Sequence, residues 1–168
     1  MNEIETNIQG YKIRKAKPGD EKILCDLIKE LASYENLLDE VEATEDRIKD
    51  TIFEKHYAEV LIGEYDNVPI SYALYFHNYS TFLTKPGLYL EDIYVKPEYR
   101  HLGIGKLYFQ ILAQIAVEKD CGRMEWTCLD WNEPSLKFYK KMGAEPKSEW
   151  IIHRVSGNAL QELADGSI

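Results

Sequence analysis

The sequence predicts an α/β (α+β) domain built on a mixed, mostly antiparallel central sheet with helices on both faces. Three observations predict it. Two apolar runs, residues 58–64 and 70–77, flank Asp66 and Asn67, whose turn-forming side chains read as the tip of a hairpin. A third run, residues 88–95 (LYLEDIYV), is aromatic and β-branched, as a largely buried strand requires. That run leads through a glycine-containing turn into a long apolar-striped helix and another strand, and the strand-helix-strand unit is what makes the sheet mixed.

In chain order, residues 1–10 read as a flexible N-terminal segment, 11–156 as one domain and 157–168 as a C-terminal tail. Residues 11–16 alternate apolar and basic side chains and form the first strand, broken by Pro18, Gly19 and Asp20. Asp20 stands where it can cap a helix whose stripe is Ile23, Leu24, Leu27, Ile28 and Leu31. Thr44 is a second capping position, with Ile48, Ile52 and Phe53 at helical spacing behind it. After the predicted hairpin, residues 78–87 carry Tyr79, Phe82, Pro86 and Gly87 and read as a loop. Pro97 ends the third strand of the run, and Ile104, Leu107, Tyr108, Ile111, Leu112, Ile115 and Ala116 make one helical face. Gly122 stops that helix before a strand over residues 123–129. Asn132, Glu133 and Pro134 open a short helix ended by Gly143, and residues 150–155 read as a last strand.

At 168 residues, with 45% hydrophobic and 12% aromatic side chains, the chain is long and apolar enough for one domain with a real core. No apolar run approaches about 18 residues, and the N-terminus is polar and acidic, so the expectation is a cytoplasmic protein with no membrane partner. Cys25, Cys121 and Cys128 lack metal-ligand spacing; free buried thiols and no metal are expected. A formal net charge of −9 argues against nucleic acid as a partner and favours a cationic ligand. Basic residues nevertheless collect at Lys96, Arg100, His101 and Lys106, with Lys137, Lys140 and Lys141 further on. An acidic body with a basic patch suits two substrates of opposite charge.

Residues 99–106 (YRHLGIGK) lie between a strand and a helix, where unpaired helix-start N–H groups and a glycine without Cβ can cradle an anion. A dinucleotide fingerprint needs a third glycine where Tyr108 stands, and a nucleoside-triphosphate loop needs Ser or Thr where Leu107 follows Lys106. Both fail. What remains is R-x-x-G-x-G, formed by Arg100, Gly103 and Gly105. A methyl at Gly103 is expected to intrude on the anion rather than on the core.

This pattern resembles the coenzyme A pyrophosphate loop of the GCN5-related N-acetyltransferase (GNAT) superfamily. Residues 88–95, 130–139 (DWNEPSLKFY) and 30–35 (ELASYE) extend the likeness to the diamine (spermidine/spermine) acetyltransferase branch, across about residues 11–155. The resemblance implies a GNAT-like fold and a homodimer. It also implies acetyl transfer from acetyl-CoA to a primary amine, a polyamine or lysine-like small amine, by direct attack in a ternary complex. Carried over by motif, the backbone of Ile93, Tyr94 and Val95 binds the acetyl and pantetheine part. Arg100, His101, Leu102, Gly103, Ile104, Gly105 and Lys106 hold the pyrophosphate, and Asn132, with Ser135 beside it, holds the pantetheine arm. Tyr139 matches the family's acid, Glu91 its base acting through water, and Tyr34 with Glu35 its acceptor contacts. Glu125 and Trp126 line the acceptor channel. A protein or peptide acetyltransferase and a non-catalytic coenzyme A-binding protein remain open at this level.

The chemistry stands apart from the resemblance. An alkylammonium with a pKa of about 10.4 is a poor nucleophile near neutrality, so a carboxylate that binds it and accepts its proton is useful. Glu91 and Asp92 alternate on their strand, one to each face, and Glu91 is the reading adopted for the base, with Asp92 a substrate contact. A coenzyme A thiolate leaving with a pKa of about 8.5 is helped by a phenol of about 10, which suits Tyr139. Unpaired N–H groups at a bulge near Ile93 would polarise the acetyl carbonyl.

Overall fold

In the computed structural model, which describes residues 3–167, six strands lie side by side in sequence order. They are β1 (Glu3–Glu5), β2 (Tyr11–Lys15), β3 (Glu59–Tyr65), β4 (Val68–Ser80), β5 (Lys85–Val95) and β6 (Arg123–Trp126). All neighbours are antiparallel except β5 and β6, which are parallel, so the sheet is mixed and mostly antiparallel as predicted. The helices are α1 (Glu21–Glu35), α2 (Glu45–Ile48), α3 (Ile104–Glu118), α4 (Glu133–Lys141) and α5 (Gly157–Ala164). The chain forms two compact units: one up to Thr127, holding the sheet with α1 to α3, and one from Cys128 on, holding α4 and α5.

Strand parity puts the helices on both faces. Tyr72 of β4 and Tyr94 of β5 pack in one cluster with Leu24, Cys25 and Leu27 of α1 and Ile48 of α2. Ser71, one residue earlier and so on the opposite face, has its hydroxyl 3.2 Å from that of Tyr108 on α3 and 2.9 Å from that of Tyr11 on β2. Ile104, Tyr108, Ile111, Leu112 and Ile115 of α3 are buried as their spacing required.

Several sequence expectations are corrected. The N-terminal segment is not free: β1 pairs with β2, Ile4 against Ile13, because Thr6 Oγ1 donates to the carbonyls of Tyr11 (2.6 Å) and Ile8 (3.2 Å) and folds the chain back. The loop over residues 78–87 is ladder instead, with Asn78 against Gly87 and Ser80 against Lys85. Gly87 thus lies in a ladder rather than a turn, and a Cβ there would require the Asn78 side-chain amide to shift. Strand β6 ends at Trp126, short of residue 129. Residues 150–155 join no sheet among the described residues, since β propensity makes a strand only against a partner. The C-terminal tail carries α5.

Thr44 caps α2 as predicted, accepting from the Arg47 N–H at 3.2 Å; the next residues, Lys49–Glu54, wind as a π-helix. Asp20 stands at the α1 N-cap position but makes no side-chain cap bond. Its carboxylate is taken by the Arg14 guanidinium (2.7 and 2.9 Å) and the Lys17 N–H (2.8 Å), and Arg14 Nε also donates to Glu64 at 2.8 Å. Burial opposes ionisation of Asp20, yet the Arg14 and Lys17 donors outweigh it and hold its pKa below the ordinary value. Of the three cysteines only Cys25 is buried; Cys121 and Cys128 are partly exposed, where buried thiols were expected. Among the described residues no helix is long and apolar enough to cross a membrane, and no group of three or more acidic, His or Cys side chains is placed to hold a metal.

Candidate active site

The site begins where β5 loses one of its neighbours. Leu74 of β4 faces Asp92 while Tyr75 faces Leu90, so Glu91 is the extra residue of a β-bulge. The bulge therefore falls two residues before Ile93, which itself stays in register with Ala73. On the other side β6 accompanies β5 only from Gly87 to Leu90. Within the sheet, residues 92–95 thus have a ladder partner on one side alone, the side of β4.

From that strand the chain passes through Lys96 into a 3₁₀ helix, Pro97–Leu102, where a tight turn was expected. Gly103 then adopts a left-handed conformation, φ 80° and ψ 12°, and α3 begins. No side chain caps α3, and its first turn closes with the Leu107 N–H on the Gly103 carbonyl at 3.2 Å. The N–H groups of Ile104, Gly105 and Lys106 are left at the positive end of a fifteen-residue helix, with exposed His101 and Lys106 at hand. These residues fit a pyrophosphate. Nothing lies within 4 Å of a Cβ built on Gly103, so a methyl there meets no part of the core, and its cost to the fold is the backbone strain of a positive φ.

Arg100 turns back from the loop. Its Nε donates to the Val95 carbonyl at 2.9 Å, and its guanidinium carbon lies 4.4 Å from the centroid of the Tyr34 ring and 5.8 Å from that of Tyr94. The same end of α1 is tied to the strand exit by Glu30, 3.1 Å from Lys96 Nζ. Glu35, the last residue of α1, is half-buried, and burial raises its pKa.

Asp92 is the carboxylate the fold brings to this group. Burial pushes its pKa up to about 6, and the charges of Glu91 and Glu35 push the same way; the Tyr72 hydroxyl, donating to Oδ2 at 3.1 Å, pulls against them. Glu91, at the bulge, is exposed. Glu125 accepts from Asn78 Nδ2 at 3.0 Å and is ion-paired with Arg123, Nε 2.9 Å away, so its carboxylate is engaged at the sheet edge. Trp126 stands edge-on to Phe109 of α3, ring centroids 4.8 Å apart. In the second unit, Asn132 Oδ1 accepts from the Ser135 N–H at 3.4 Å and so caps α4. Tyr139 is half-buried on that helix, its ring 5.6 Å from Phe138.

Residues 24–144 match the model of the acetyltransferase (GNAT) family. The chain belongs to that family. It is an acetyltransferase. The chain is 38% identical over 164 residues to the thialysine N-epsilon-acetyltransferase of Bos taurus, covering 90% of this chain and 96% of that protein. It is 33% identical over 171 residues to the human spermidine/spermine N(1)-acetyltransferase-like protein 1, covering 95% of this chain and 24% of the relative. Among solved structures, an integron cassette protein from V. cholerae superposes with a TM-score of 0.79 at 26% identity, over 93% of this chain and 98% of the other.

Beside Asp92, Tyr72 is the residue that sequence reading passed over. Its signal is parity: it is the Cα partner of Tyr94, and so shares a face with Asp92 two residues earlier. That relation exists only once the β4–β5 register is known.

Proposed function

We propose that this enzyme transfers the acetyl group of acetyl-CoA to the primary amine of a small cationic acceptor, lysine-like or a polyamine, by direct attack in a ternary complex. One observation carries the reading: the carboxylates of Asp92 and Glu35 come together where α1 ends and β5 keeps β4 as its one neighbour, and the same strand leads through a short loop to the uncapped start of α3. The relatives named for thialysine and for spermidine/spermine support both acceptor classes.

In this reading the first-turn N–H groups of α3, with His101 and Lys106, hold the pyrophosphate, and Arg100 fixes the loop to β5. The free edge of Ile93, Tyr94 and Val95 takes the pantetheine and acetyl portion, with Asn132 and Ser135 on the pantetheine arm. Tyr34, Glu35 and Asp92 receive the ammonium, and Glu91 accepts its proton through water. The amine nitrogen then bonds to the acetyl carbon as the carbon–sulfur bond breaks; Tyr139 gives a proton to the departing sulfur and is reprotonated, through solvent, by the second proton that the nitrogen loses in becoming an amide. A homodimer in the cytoplasm belongs to the same proposal, on the strength of the family likeness.

Incubating the protein with acetyl-CoA and a panel of lysine analogues and polyamines, and following free thiol, tests the reading. Thiol release that depends on the amine is expected. No release with any amine in the panel would overturn it.

A further inference from the structure

The Tyr72 side chain is fully buried, 0% exposed, yet it carries a hydroxyl. A phenylalanine would fill the same volume in the α1-facing core without burying a polar group. The hydroxyl is compensated by its bond to Asp92 Oδ2 at 3.1 Å. Packing therefore does not explain it; Asp92 does.

Among the described residues no cation acts on Asp92 in turn. The titratable and charged groups that act on it are Tyr72 of β4, Glu35 at the end of α1, and Glu91 on its own strand. Among the described residues none of its partners is basic, and the nearby bases are engaged: Lys96 with Glu30, Arg100 with the Val95 carbonyl and the Tyr34 ring. A half-buried carboxylate among two further acids, steadied by a neutral donor, lacks only a positive charge from outside.

We propose that Tyr72 is a positioning residue for the acceptor: its phenol fixes the Asp92 carboxylate through Oδ2 and leaves Oδ1 to take the acceptor's ammonium. This rests on the amine-acetyltransferase reading above. The neutral phenol orients the carboxylate without competing for the cation, as a Lys or Arg in its place would. It also keeps Asp92 ionised at neutral pH against burial and two like charges, so loss of the hydroxyl moves the ionisation of Asp92 upward.

The test is the pH dependence of kcat/KM for the amine in the wild type, Tyr72→Phe and Asp92→Asn, with direct titration of ¹³C-carboxyl-labelled protein. The wild type is expected to show an acidic limb near pH 6 and a carboxyl resonance titrating with it. Asp92→Asn should lack both. In Tyr72→Phe, limb and resonance should move up by about one pH unit, with the amine KM raised about tenfold at pH 6.5 and the acetyl-CoA KM within about twofold. A limb and resonance left in place while thermal stability falls would make Tyr72 merely structural and overturn the proposal. If Tyr72→Phe does not fold, a wild-type limb that persists in Asp92→Asn overturns it instead. A wild type that releases no thiol with any amine overturns the function itself, a result distinct from an active enzyme with an unmoved limb.

Discussion

The Arg100 guanidinium lies over the ring of Tyr34, 4.4 Å from its centroid, while Arg100 Nε holds the Val95 carbonyl at 2.9 Å. One side chain thus joins the end of α1, the exit of β5 and the 3₁₀ helix that leads to the anion site. Tyr34 sits on the acceptor side of the proposed site and the loop on the cofactor side, so Arg100 is their mechanical link.

Arg100→Lys should therefore disturb both substrates. Lysine keeps the charge but loses the planar stack and the fixed Nε donor, worth together about 1–2 kcal/mol. Initial-rate kinetics with both substrates varied should show KM raised for acetyl-CoA and for the amine, each by about three- to tenfold. A change confined to acetyl-CoA would mean that the stack on Tyr34 carries no coupling.

Gly103→Ala is expected to cost about 1 kcal/mol of folding stability, because φ of 80° is left-handed and strained for any side chain bearing a Cβ. It should also weaken coenzyme A, since relief of that strain shifts the N–H groups of Ile104 and Gly105. Urea unfolding and titration calorimetry on the same variant separate the two effects. Unchanged coenzyme A affinity would contradict the placement of the pyrophosphate.

The features that were legible before the structure are those written in local pattern. The stripe from Ile104 to Ala116, the run LYLEDIYV and the Thr44 cap each follow from neighbouring side chains, and each formed as read. What escaped depends on partners distant in sequence. Strand β1 has a single apolar residue, Ile4, between two glutamates, and it exists because Thr6 turns it onto β2. Pro86 and Gly87 carried turn propensity into a ladder that forms because β4, opposite them from Asn78 to Tyr79, supplies a partner strand. Asp20 suited a helix cap by position, but Arg14, six residues earlier, claimed it. Asp92 and Glu91 were distinguishable by parity; which of them meets Glu35 was not, because that depends on the bulge and on where α1 ends.

The Arg14 network gives a stability prediction away from the site. Side-chain exposure is 14% for Arg14, 5% for Asp20 and 11% for Glu64, so removing the guanidinium leaves two carboxylates with little water. Arg14→Ala should destabilise by about 3 kcal/mol, and Arg14→Lys by less. Chemical denaturation reads both. A loss below about 1 kcal/mol for the alanine variant would show that solvent or Lys12, 3.6 Å from Glu64, takes over the role.

Asp92 gives the opposite sign. Its pKa is raised from the ordinary 3.8 to about 6, so the folded state holds the proton more tightly than the unfolded chain does. The stability this confers is full below about pH 3.8 and declines as pH rises toward 6, where the folded carboxyl ionises. At 1.36 kcal/mol per pH unit the decline is about 3 kcal/mol. Asp92→Asn keeps the shape, has an amide to pair with the Tyr72 hydroxyl, and has no charge to bury. Relative to the wild type it should gain stability steadily between pH 4 and pH 6.5 and remain more stable at pH 7.5, while losing acceptor binding. Thermal unfolding across that range checks it, with parallel curves for the two proteins as the result that would rule it out. A gain in stability coupled to weaker acceptor binding is what a carboxylate kept for a ligand's charge, rather than for the fold, must show.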